Sequence, residues 1–421
     1  MKVLMFGWEF PPHISGGLGT ACQGLTQGLS GCGADILFVL PRRKEGQESS
    51  HIRLVGVDEV TIAGVQSYLL NERMRCLAVD STLQPYINDE QYLEQLRGGV
   101  GSDAARFAAQ FGLTGDYGPF LLAEVDRYAH VAGMIAAHEP HDVIHAHDWM
   151  TYPAGVVAKE NSGKPLVVHM HATEFDRSGD NINQNVYDIE RHGMHKADKV
   201  IAVSHRTKDV VKERYGIPAD KIEVVHNGVD KDRLFYKNEI PKHVDERIVL
   251  FLGRVTMQKG PDYFVEAANV VKRQIDNVRF VMAGSGDMLP RMIERMAYHR
   301  MLETFHFTGF LNRTAREKLF SMTELFVMPS VSEPFGIVPI EAMLYDIPVI
   351  ISKQSGVSEV LPNAIKVDFW DVHQLADNIV NVLSDPDGTR ENIEKNRMDL
   401  HAINWDNSAR KVLSVYHQLA G

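Results

Sequence analysis

Ile248-Val249-Leu250-Phe251-Leu252, followed at once by Gly253-Arg254-Val255-Thr256-Met257-Gln258-Lys259-Gly260, is the stretch from which the fold can be read. An uninterrupted short apolar run is the signature of a strand buried on both faces, as in parallel sheets. The polar, glycine-bounded loop behind it leads into a pattern of helical period. The same strand-loop-helix unit recurs downstream, with strands expected at Arg279–Ala283, Phe305–Phe307, Leu325–Met328 and Val349–Ile351. It is also present upstream, at Lys2–Gly7, Asp35–Leu40, Val143–Ala146, Leu166–His169, Val200–Val203 and Glu223–His226. Between the first two of these, Leu18, Ala21, Cys22, Leu25 and Leu29 fall at helical spacings, so Cys22 reads as a core cysteine. Alternating strands and helices dictate right-handed crossovers and parallel sheets with helices on both faces.

Asp230–Glu246, charged and poor in apolar residues, separates the two series and places a domain boundary near residue 240. The expected class is therefore α/β, with parallel-sheet domains at 1–240 and 241–404 facing a cleft, where ligands bind beyond the carboxyl ends of the strands. A last helix, Asn407–Leu419, carries Val412, Val415, Tyr416 and Leu419 on one face. Asn71–Gly118 is the least regular stretch and reads as an insertion.

The 421 residues carry 44 basic and 55 acidic side chains, a formal charge of −11. That net negative field argues against nucleic acid and anionic membrane surfaces as general partners. Three cysteines, Cys22, Cys32 and Cys76, show no C-x-x-C spacing, which argues against a disulfide framework or thiolate zinc site. No run approaches membrane-spanning length and Trp8-Glu9 interrupts the first apolar stretch, so the expected location is the cytoplasm.

Four constellations carry chemistry. In Pro11-Pro12-His13-Ile14-Ser15-Gly16-Gly17-Leu18-Gly19, the adjacent Gly16 and Gly17 open a helix whose N–H groups suit a phosphate or sugar. The loop is neither G-x-G-x-x-G nor a Walker loop. In Gly253–Gly260, Arg254 and Lys259 are two cations placed to converge on one diphosphate. In Ser332-Glu333-Pro334-Phe335-Gly336-Ile337-Val338-Pro339-Ile340-Glu341, helical period begins at about Gly336. The N–H groups of Gly336, Ile337 and Val338 are then expected at a helix start, with Glu333 before it and Glu341 inside it to grip different parts of one ligand. Finally, His145-Ala146-His147-Asp148-Trp149 and His169-Met170-His171-Ala172-Thr173-Glu174 each end a strand. Alternate residues share a face, so His145/His147 or His169/His171 have the placement of metal ligands. A metal-dependent hydrolase read from them leaves the phosphate-type loops unexplained.

Together these strings resemble retaining glycosyltransferases of the GT-B fold, family 4, and in particular the glycogen and starch synthase-like members. The resemblance rests on G-G-L at Gly16, D-V-I-H-A-H-D-W ending at Trp149, H-A-T-E-F-D-R-S-G at His171, V-I-A-V-S at Val200, V-H-N-G-V-D at Val225, G-R-V-x-x-x-K-G at Gly253, and E-x7-E from Glu333 to Glu341. It implies two Rossmann-like domains, with the final helix 405–421 packed back on the first.

The resemblance also implies roles. Arg254 and Lys259 neutralise the donor diphosphate, Glu341 accepts from the ribose, and Glu333 accepts from the donor sugar. Gly16 and Gly17 close over the phosphates. His171 sits beside the reacting face, with His169 an alternative for that role, and Asp148 lies near the sugar hydroxyls or the acceptor. The implied reaction moves glucose from a nucleotide sugar to the non-reducing end of an α-1,4-glucan with retention, without metal or other cofactor. A small-molecule acceptor is the nearest alternative, followed by a sugar-nucleotide epimerase. Ile14 stands where many starch and glycogen synthases carry lysine, which favours a UDP-sugar over ADP-glucose. Oligomeric state is left open.

Overall fold

The computed structural model describes residues 1–12, 16–44, 46–57, 118, 121–230 and 245–421. Most of the linker, the boundary placed near residue 240, Ile14, and the 71–118 insertion apart from Gly118 lie outside the described residues. The described chain forms two compact units, one of Met1–Gly228 with Trp405–Gly421 and one of Val229–Asn404.

The N-terminal unit is built on a seven-stranded sheet of order β3-β2-β1-β4-β5-β6-β7. Its strands are β1 (Lys2–Phe6), β2 (Asp35–Leu40), β3 (Arg53–Gly56), β4 (Val143–His147), β5 (Leu166–Met170), β6 (Lys199–Ala202) and β7 (Ile222–Val224). All pairings are parallel, as the uninterrupted apolar runs require. The chain moves from β1 outward to β3, then returns to β4 on the other side of β1. The loops leaving β1 and β4 therefore flank the point where strand order reverses, the position at which such sheets bind ligands. The core beneath includes Leu4, Phe6, Tyr128, Ile144, Val168 and Tyr215.

The C-terminal unit repeats the plan in six strands, order β10-β9-β8-β11-β12-β13. These are β8 (Arg247–Leu252), β9 (Val278–Ala283), β10 (Phe305–Gly309), β11 (Thr323–Met328), β12 (Val349–Ser352) and β13 (Ile365–Val367). Here the reversal lies between β8 and β11, so the Gly253–Gly260 and Ser330–Ile337 loops are neighbours at the switch point. Val249, Phe264, Phe280, Leu325 and Ile350 are among its core residues.

The last helix, Trp405–Ala420, belongs to the N-terminal unit and packs on the helix Gly17–Gly31. Gly24 and Gly28 make the groove for it. A Cβ on Gly24 would stand 2.1 Å from the Trp405 indole, and one on Gly28 would stand 2.6 Å from the Trp405 carbonyl. Ser408 Oγ donates to His226 O at 2.6 Å, tying the helix to the loop beyond β7. Val412, Val415 and Tyr416 are buried there, while Leu419 is only half-buried. Among the described residues, no helix is long and apolar enough to cross a membrane.

Candidate functional site

The first cluster of expected residues lies at the switch point of the C-terminal sheet. Gly253 N donates to Ala283 O at 3.0 Å and Val255 N to Ser285 O at 2.9 Å, so the loop after β8 rests on the loop after β9. That contact needs glycine. A Cβ on Gly284 (φ 138°) would lie 1.8 Å from Gly253 O, and one on Gly286 would lie 2.3 Å from Val255 O. This Gly-Ser-Gly support was visible in the sequence as a break after a strand, but its role was missed.

Gly260 (φ 66°) brings the same loop against the one after β11, where a Cβ would meet Pro329 O at 2.1 Å. Gln258, also missed, laces the two together. Its backbone carbonyl accepts from Val331 N at 2.9 Å and Ser332 N at 3.4 Å. Its side chain is buried, and Oε1 accepts from Arg254 Nη2 at 3.1 Å. The result is that Lys259 Nζ donates to Glu333 Oε2. Glu333 is itself fixed by its backbone, with N on Gln354 O at 3.1 Å and O accepting from Gly356 N at 2.8 Å. An almost fully buried carboxylate without a cation would be costly, and the Lys259 pairing offsets that cost.

Glu341 accepts from Arg316 Nη1 at 3.3 Å. The helix carrying it is Val338–Met343, with Ile337 as its cap residue and Pro339 in its first turn, so it begins two residues later than the sequence pattern suggested. Gly336 (φ 100°) therefore precedes the helix as a turn, and Val338 supplies its first orphan N–H.

The N-terminal unit holds the second cluster. Gly16 is the extended cap residue of the helix Gly17–Gly31, and among the described residues no atom lies within 4 Å of a Cβ built on Gly16 or Gly17. The register pairs His147 of β4 with His169 of β5, so His145, His147, His169 and His171 share one face of the sheet. Their rings form a stack, with centroids 4.3 Å apart for His145/His147 and for His169/His171, and 5.3 Å apart for His147/His171. His147 Nδ1 lies 3.0 Å from His171 Nε2, and His145 Nδ1 is bonded to Tyr416 OH of the last helix. His145, His147 and His169 are fully or nearly fully buried, whereas His171 is partly exposed. Burial, reinforced by His171, holds His145 down to about 3, and burial does the same for His171. His147 and His169 are likewise held well below the ordinary value, so the stack is neutral at pH 7.

Ligand atoms of His145, His147 and His169 lie within 4.8 Å of one another. The His145 and His147 rings are within 16° of parallel, so their in-plane lone pairs run side by side and do not converge on one point.

Asp148 adopts φ 63° at the end of β4, a conformation that costs energy outside glycine. Burial raises its carboxyl to about 6, against the pull of Arg177 and the N–H groups of Ala172, Trp149 and His171. Its Oδ1 is buried with no partner among the described residues. Arg177 donates to Ala172 O at 2.8 Å, to Glu174 Oε2 at 3.2 Å, and to Glu190 Oε1. Glu190 also accepts from Glu174 N at 3.1 Å and from Tyr215 OH, and burial pushes it up to about 7. Glu190 lies within a helix, and nothing in its spacing announced this buried network.

The sequence matches the profile of Glycosyl transferases group 1 over residues 232–399 and that of Glycosyltransferase Family 4 over residues 106–233. Both profiles are those of glycosyltransferases, and together the two matches run from residue 106 to residue 399. It is 29% identical over 441 residues to an uncharacterized glycosyltransferase of Methanocaldococcus jannaschii, covering 99% of this chain and 98% of that one. A glycogen synthase of Mycobacterium tuberculosis is 27% identical, covering 99% and 94%. Among solved structures, sucrose-phosphate synthase from Thermosynechococcus elongatus superposes with a TM-score of 0.74 at 18% identity, over 99% of this chain and 98% of that one. An Anabaena protein crystallised with UDP-glucose gives a TM-score of 0.65 at 18% identity over the whole of both chains. These structural likenesses concern the fold.

Proposed function

We propose that this glycosyltransferase moves glucose from a nucleotide sugar, UDP-glucose or ADP-glucose, to the non-reducing end of an α-1,4-glucan with retention of configuration. The observation that carries the reading is the Lys259–Glu333 pair at the β8/β11 switch point, with Arg254 anchored beside it on Gln258. A cation pair serves a diphosphate, and a buried, backbone-fixed carboxylate beside it serves the sugar attached to that diphosphate. In this reading Arg254 and Lys259 neutralise the leaving diphosphate, and Glu341 accepts from the ribose. Gly336, Ile337 and Val338 offer backbone N–H groups to phosphate, as does the helix start at Gly16 and Gly17. His171, the partly exposed member of its stack, meets the sugar, and Asp148 meets a hydroxyl of the sugar or of the acceptor. Preorganised charge and positioning supply the acceleration, without metal.

The mycobacterial glycogen synthase relative supports the glucan acceptor, and the UDP-glucose complex of the Anabaena neighbour supports a nucleotide-sugar donor. The unpaired cysteine spacing supports a cytoplasmic site of action. A small-molecule acceptor is the second reading, favoured by the likeness in fold to sucrose-phosphate synthase. A panel of nucleotide sugars, with and without glycogen, separates these readings by the nucleoside diphosphate released. Release that depends on glycogen supports the first, and release that ignores it overturns the first.

A further inference from the structure

Resting on the reading of His171 as the residue that meets the donor sugar, we propose that His147 is a positioning residue that fixes the His171 tautomer, so that His171 presents a protonated Nδ1 to the ligand. The 3.0 Å contact joins His147 Nδ1 to His171 Nε2, and only one of the two nitrogens holds the shared proton. His147 is fully buried, and its other nitrogen, Nε2, has no partner among the described residues. A proton on that Nε2 would leave an orphaned buried N–H, a rarer and costlier situation than a bare acceptor.

His147 is therefore protonated at Nδ1 and donates to His171 Nε2. A neutral His171 that accepts at Nε2 carries its proton at Nδ1. The ring is then a hydrogen-bond donor toward a sugar hydroxyl or a phosphate oxygen, and its one lone pair is already occupied. It has no free nitrogen with which to act as a base.

Two-bond proton–nitrogen NMR on the full chain, with labelled histidines, reads the tautomer directly. His171 is expected to show a protonated Nδ1 and a bare Nε2; a protonated Nε2 overturns the proposal. His147→Asn, which keeps an N–H near the Nδ1 position, is expected to retain turnover within a few-fold. His147→Leu is expected to lose about tenfold in kcat with KM for the nucleotide sugar little changed, and to redistribute the His171 proton. Unchanged kcat and tautomer in His147→Leu overturn the proposal, and the wild-type spectrum decides the matter if that variant fails to fold. His171→Ala is the separate control: full activity there removes His171 from the site, whatever the spectrum shows of its bond to His147.

Discussion

Lys259 and Glu333 stand 74 residues apart in the chain and are bound to each other by an ion pair. They arrive from opposite sides of a reversal in strand order, one on the loop after β8 and the other on the loop after β11. Each holds the other in place. Substituting Lys259 therefore leaves a nearly buried carboxylate without its cation.

Glu333→Ala is expected to lower turnover about a hundredfold, some 3 kcal/mol, while donor affinity changes much less. Steady-state kinetics with the preferred nucleotide sugar, set beside calorimetric donor binding, checks the division. Wild-type kcat in the mutant would remove Glu333 from the catalytic set.

Arg254→Ala and Lys259→Ala should each weaken a free nucleoside diphosphate as well as the intact donor, by about 1.5–3 kcal/mol. Titration calorimetry with UDP and ADP reads this directly. Equal affinities in wild type and both variants would mean that the diphosphate lies elsewhere.

Gly284→Ala is expected to destabilise the C-terminal unit by about 2–4 kcal/mol, because its Cβ would lie 1.8 Å from Gly253 O and its φ of 138° resists any side chain. Gly31→Ala is the control. Among the described residues a Cβ there meets nothing within 4 Å and its φ is ordinary, so thermal melting should show no loss. A Gly284→Ala melt matching the wild type would show that the loop shifts without cost.

Stability of the N-terminal unit should fall as the solution is acidified from about pH 6.5 to 5. The four stacked histidines have folded pKa values below their ordinary one, with His145 and His171 at about 3. Their contribution is thus complete above the unfolded pKa of about 6.5 and is lost as pH drops below it. Asp148, at about 6, and Glu190, at about 7, act in the opposite sense, since raised carboxyls favour the protonated folded state. Four groups outweigh two, so the net effect of acid is destabilising. Urea unfolding across this range tests the sign, and a midpoint that stays level or rises with acid would contradict the assignment.

The new linkage should keep the α configuration of the donor. Proton NMR of the product formed on glycogen or a malto-oligosaccharide distinguishes the outcomes. A β-anomeric signal would end the retaining reading.

Both sheets were legible in the sequence because their central strands are buried on two faces and so are uninterrupted apolar runs. The edge strands Arg53–Gly56 and Ile365–Val367 were not, being short, half-exposed and broken by Arg, Gly and Lys. Arg254, Lys259, Glu333 and Glu341 were readable because charge and glycine punctuate a loop behind a strand. Gln258 was not, since what makes it matter is a carbonyl that accepts from a loop more than seventy positions away. The histidines were readable as two alternating pairs, whereas the His147–His171 bond depends on the register of β4 against β5.

The helix Trp405–Ala420 gives the order of synthesis a physical meaning. The groove at Gly24 and Gly28 is translated first, yet the indole that fills it emerges only after the whole Val229–Asn404 unit has left the ribosome. The C-terminal unit has all its own strands before that moment and is free to fold first. The N-terminal sheet meanwhile waits with an apolar groove exposed and His145 without its tyrosine. Nascent chains halted before Trp405 would leave that groove without the indole that fills it.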